Sequence, residues 1–116
     1  MENWTQEQSL RAARSLIIQG RIDLENGLDA EARTAFLERA ESVWKNAAFH
    51  DVISRVVEDA RNFITEQAVD MDSVFAHRAV LIVAQTLCEQ FEMLSAQFEN
   101  ERMEADKKVD NPHTII

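Results

Sequence analysis

Apolar residues return every three or four positions through most of this chain, with polar residues filling the places between. That period is the one by which an α-helix gathers apolar side chains on a single face. Four stretches carry it. In the first, Leu10, Ala13, Ile17 and Leu24 form the stripe, widened by Leu16 and Ile18. In the second, Phe36, Ala40, Val43 and Ala47 repeat beside Leu37 and Trp44. The third runs through Ile53, Val56, Val57, Ala60, Phe63 and Ile64. The fourth is apolar nearly all round over residues 74–87 and then narrows to Leu87, Phe91, Leu94 and Phe98, with Met93 and Met103 nearby.

Boundary signals divide these stretches. Thr5, Gln6, Glu7 and Gln8 fit a capping box at the start of the first helix. Asn26, Gly27 and Leu28 read as its stop, with Gly27 in the left-handed cap conformation and Leu28 making the contact that follows it. Asp29 then caps the second helix, the third starts near His50 and Asp51, and Asp72 or Ser73 caps the fourth. The predicted helices therefore cover residues 5–25, 29–48, 51–69 and 73–108, with 109–116 as a flexible tail ending in the apolar pair Ile115 and Ile116. Gly20 falls on the first stripe, where it lets another helix approach closely at a cost of about 1 kcal/mol.

Residues 28–111 contain neither glycine nor proline, which leaves little room for anything but helix. Short links between sequential helices make them antiparallel neighbours. The expected fold is all-α: an antiparallel four-helix bundle in one domain, with a long C-terminal helix overshooting it. At about 1.5 Å per residue the fourth helix reaches roughly 54 Å, against roughly 27–32 Å for the others. Its apolar stripe continues past the point where the bundle should stop. Trp4, Trp44 and Phe49 are placed to cover Phe91 and part of Leu94, leaving Phe98 open.

That overhang is the expected protein interface. Phe91, Leu94 and Phe98 are its anchors, and Glu92, Glu99, Glu101 and Arg102 its polar rim. The partner is either a second copy, making a dimer, or another protein with a basic surface. The expected function is a non-enzymatic protein–protein interaction module: an adaptor, an assembly factor or a small acidic inhibitor of the kind phages and mobile elements encode.

Charge supports that direction. The 116 residues carry a formal net charge of −9. Residues 89–106 hold six acids against the single base Arg102. Nucleic-acid binding needs a basic stripe that displaces counterions, and only Arg11, Arg14 and Arg21 on the first helix approach one. A nucleic-acid-binding bundle is thus a weaker alternative. No apolar run is long enough to span a membrane, and Met1, Glu2, Asn3 and Trp4 do not begin a signal peptide. A lone Cys88 forms no internal disulfide, which suits the cytoplasm.

Candidate chemistry is sparse. His50 followed by Asp51 resembles the dipeptide of metal phosphohydrolases, but His77 and His113 do not complete a ligand set. Glu38 and Glu41 resemble half of the acidic magnesium site of all-helical nucleotide pyrophosphohydrolases. The matching half is missing, since Glu66 and Asp70 are four apart. A metal-dependent nucleotide hydrolase is the enzymatic alternative. No catalytic residue, metal or cofactor is assigned.

Overall fold

The computed structural model describes residues 5–67 and 70–110, with side chains of the last helix described to residue 107. Among them every regular element is helical. Helix α1 spans Gln6–Asn26, α2 Ala30–Trp44 and α3 Ala47–Asn62, which continues into a π-helical turn, Phe63–Gln67. Helix α4 spans Met71–Asp110, about 60 Å of helix. Trp4, residues 68–69 and residues 111–116, the last including His113, Ile115 and Ile116, lie outside the described residues.

Local chemistry sets most of the ends. Thr5 accepts from the Gln8 amide at 3.2 Å, while the Gln8 side chain accepts from the Thr5 amide at 2.8 Å. The Asp29 carboxylate caps α2 by accepting from the Ala32 amide. Three ends differ from expectation. Gly27 is right-handed, at φ −85° and ψ −4°, because its N–H and that of Leu28 close ordinary tight turns onto Asp23, Leu24 and Glu25. The break between α2 and α3 falls at Lys45 and Asn46, ahead of His50. The Asn46 side chain accepts from the Phe49 amide and so starts α3 early. At the far end Asp70, rather than Asp72 or Ser73, caps α4 by accepting from the Ser73 amide at 2.7 Å.

The spine of the fold is α4, which touches all three other helices. Helix α3 runs antiparallel to it. The Phe49 ring lies 5.6 Å from Phe91 near the top, and Phe63 stacks on His77 at 3.7 Å near the bottom. Helix α1 runs the same way as α4, with Glu7 paired to Arg78, Arg14 to Glu89, and Arg21 donating to Gln90. Helix α2 lies across α4. Arg33 reaches Glu101 and Lys45 reaches Glu99, although those two residues are roughly 18 Å apart along α2. Because α2 crosses instead of descending, the strict up-and-down alternation expected from short links gives way to α1 and α4 running in parallel.

The densest packing is at that crossing. Leu37, Ala40 and Leu94 form the buried cluster, with Phe36, Phe91 and Phe98 packed around it. Ala40 supplies the small surface that brings the two helices together, and Leu37 is fully enclosed. Elsewhere burial is thin. Among the described residues the buried apolar side chains are Leu10, Leu37, Ala40, Ala60, Ala84 and Leu94, half of them alanine. The molecule is long and flat, 71 × 36 × 19 Å. Its radius of gyration is 19.4 Å, against about 13 Å for a compact chain of this length.

Replacing Leu37 by alanine should therefore cost about 2–5 kcal/mol of stability. Urea unfolding followed by circular dichroism would measure it, and a loss below about 1 kcal/mol would mean the crossing is not the main packing site.

Candidate interaction surface

Helices α1 and α3 flank α4 without closing over it, and a trough lies between them. Its floor on α4 is Ala79, Val80, Val83, Ala84 and Leu87, and its α3 wall is Ile53 and Val56. Toward the α2 end the depression continues, with Ile17, Gly20 and Leu24 as the α1 wall and Phe36 as the end stop. The two stretches share Leu87. On the helical wheel Leu16 lies about 40° from Gly20, and Val52 about 40° from Val56, so both stand on the trough's rims.

This face is where the chain leaves apolar surface in water. Leu16 is 73% exposed, Leu24 51%, Val52 62%, Val56 38%, Val80 41% and Val83 37%. These are six of the nine large apolar side chains exposed among the described residues. Scattered single exposures need no explanation, but a contiguous set does. Read from sequence, Val80 and Val83 belonged to a helix buried all round. They are uncovered because α2 turns away across α4 and no other described element fills the gap. The signals were the width of the α1 stripe and the off-stripe Val52.

Gly20 sits on the α1 rim. A Cβ added there would meet nothing within 4 Å. The expected close approach of another helix is therefore absent within the described chain, and the glycine costs about 1 kcal/mol of helix propensity without an internal contact to offset it.

The distal stripe is used inside the chain. Leu94 is 2% exposed, sealed under α2, and is corrected from interface anchor to core residue. Phe91 and Phe98 are half-buried beside it. Phe98, expected to lie open, is covered by α2 on one side and by the Arg102 guanidinium, 5.7 Å from its ring centre, on the other. Of the rim residues, Glu101 pairs with Arg33 and Glu99 with Lys45, while Glu92 is exposed. Glu41 is turned in beneath α2, its carboxylate 3.6 Å from Lys45 Nζ, in ion-pair range but beyond a hydrogen bond. Glu38 faces outward.

The other candidate groups have structural partners. His50 contacts the Trp44 carbonyl and packs edge-on against the Trp44 ring. His77 stacks on Phe63 and bonds the Ser73 carbonyl. Cys88 is half-buried, and burial first, then the Glu92 charge, pushes its thiol pKa up, so it stays protonated at neutral pH. No group of three or more metal-binding side chains comes together among the described residues. Of the basic residues on α1, Arg14 and Arg21 are engaged by Glu89 and Glu25, and Arg11 is exposed. No described helix is long and apolar enough to cross a membrane.

No known family model, no curated protein and no solved structure matches this chain.

Two ionisations follow from the α2 crossing. The hydrogen bond from Lys45 holds the Glu99 carboxyl below its usual range, and the same bond raises Lys45. Glu99 thus stabilises the fold above the ordinary carboxylate pKa and loses that contribution as pH falls through its folded value. Lys45 contributes below the ordinary lysine pKa and loses its share as pH rises through its folded value. Lys45→Met should therefore unfold in urea with a shallower loss of stability than the parent between about pH 5 and pH 2. Parallel slopes in the two proteins would show that the pair contributes nothing to acid sensitivity.

Proposed function

We propose that this chain is a protein-binding helical module that acts by association rather than catalysis, and that its binding face is the trough between α1 and α3. The observation that carries the reading is the gathering of exposed apolar side chains on that one face: Leu24, Val56, Val80 and Val83 line it, and Leu16 and Val52 stand next to them on the helical wheel. Fully burying a large aliphatic side chain is worth about 1.5–3 kcal/mol, so several of them on one face form a surface that a partner helix stabilises by covering. The trough's walls are apolar apart from Arg21 and Gln90, which are bonded to each other at the α1 edge. That suits an amphipathic helix laid along a groove better than a small substrate that must be oriented.

The acidic surface has a supporting role in this reading. The surplus at 89–106 starts beside the trough's α2 end and is partly neutralised by Arg14, Arg33 and Lys45. Its net effect is solubility and long-range steering. The trough replaces the distal stripe as the place of contact because Leu94 is no longer available to a partner.

Position-specific photo-crosslinking in the cell tests the reading. A benzophenone side chain at Val83, on the trough floor, should form covalent protein adducts. The same group at Gln85, which is exposed on another side of α4, should form few or none. Equal yields at the two positions, or none at either, would remove the trough as the binding face.

A further inference from the structure

We infer that the occupant of the trough is a second copy of this chain. The α1 rim of each copy, Leu16, Gly20 and Leu24, seats between α1 and α3 of the other, with Gly20 at the crossing. The inference rests on the reading of the trough as a binding face and adds the identity of its partner.

Three observations favour a copy over a different protein. The first is area. The chain exposes 8429 Å², whereas a compact monomer of its mass exposes about 6,450 Å². The excess, roughly 2,000 Å² per chain, is more than twice the ~800 Å² that each partner contributes to a standard stable interface. It includes both the uncovered trough and the exposed far end of α4, where residues 100–107 are all exposed.

The second is charge. In a two-fold contact a patch meets itself, so an acidic patch repels and a neutral apolar one does not. This chain is strongly acidic overall, at −9. Yet the trough floor and α3 wall are Ile53, Val56, Val80, Val83 and Leu87, without a charge among them. On the α1 side the one cation, Arg21, is already paired with Glu25. The nearest acids on the α3 side, Asp59 and Glu66, stand in an adjoining depression that Val56 and Val80 share, outside the apolar floor.

The third is the shape of the α1 rim. Residues 16, 20 and 24 stand at i, i+4 and i+8, which is one packing ridge of a helix. A glycine at the centre of that ridge lets two helix axes come closer than any side chain would. Among the described residues nothing approaches that glycine, since a Cβ there has open space out to 4 Å. Two copies meeting at Gly20 supply the approach, and each ridge then enters the other copy's trough.

The test is sedimentation equilibrium of the full chain over a hundred-fold range of concentration, with Gly20→Glu and Leu16→Gln beside the parent. The parent should have the mass of a dimer at low micromolar concentration. Gly20→Glu should raise the dimer dissociation constant at least 100-fold with an unchanged helical circular dichroism spectrum, because the new side chain extends into open space. Leu16→Gln should weaken the dimer about 10-fold without adding charge, which separates lost fit from added repulsion. A parent that is monomeric at several hundred micromolar, or a dimer that both substitutions leave intact, overturns the inference. The crosslink at Val83 separates the two readings. An adduct of two copies supports both, an adduct with another protein keeps the binding face and overturns the copy, and no adduct removes both.

Discussion

The contact of Leu37 and Ala40 with Leu94 decides the shape of the molecule. A helix of 15 residues laid across a longer one reverses nothing; it only carries the chain from one flank of α4 to the other. The α1 helix therefore arrives alongside α4 in the same direction, and α3 leaves in the opposite one. Had α2 descended along α4, it would have occupied the place where the trough lies. The best-packed point of the fold and its largest uncovered surface are thus two results of the same crossing. The ion pairs at either end of α2, Arg33 with Glu101 and Lys45 with Glu99, hold it at that angle. Exposed pairs of this kind add little energy, but they fix orientation where two apolar faces alone would allow rotation.

Features governed by a few neighbouring residues were legible in the sequence. The capping box at Thr5 and the cap at Asp29 formed as expected, because each depends on a side chain reaching an amide three residues away. The all-helical character followed from the long interval without glycine or proline. The break at Lys45 and Asn46 was harder to see. The apolar period runs unbroken through Val43 and Ala47, so the wheel gives no warning, and Asn46 as a cap competes with that period only through its side-chain bond to Phe49. Gly27 was misjudged for a related reason. Glycine permits a left-handed cap but does not require one, and the tight turns onto Asp23 and Glu25 serve the same carbonyls.

The interaction surface was less legible, because it depends on which helices meet. Phe91, Leu94 and Phe98 form a regular stripe whether a partner or α2 covers them, and the period carries no information on who does. The length of α4 suggested an overhang, which presumed that α2 lay along the bundle. A crossing helix reaches farther up α4 than a parallel one. The same geometry explains why Val80 and Val83 read as core: they are apolar enough for it, and the covering element is absent from the described chain. Gly20 was the one residue whose unusual character was visible early, and its neighbour within the chain is missing in the structure.

Composition and burial can be compared directly. Hydrophobic residues make up 46% of the sequence, the share of an ordinary globular protein, yet few of the described apolar side chains are buried. Closing α1 onto α3 within one chain would be the simplest way to bury the rest. The contacts that tie α1 to α4 resist it. Glu7 with Arg78, Arg14 with Glu89, and Arg21 with the buried amide of Gln90 tie α1 along its length to α4, the last pair at the trough's edge. Swinging α1 inward would break all three and leave the Gln90 oxygen buried without its donor, a penalty of about 1–3 kcal/mol. Covering the trough from outside leaves the Glu7–Arg78 and Arg14–Glu89 pairs in place. On the proposed reading, a chain with an ordinary share of apolar residues, a thin core and a helix tied open is one part of a larger hydrophobic core whose remainder comes from a partner.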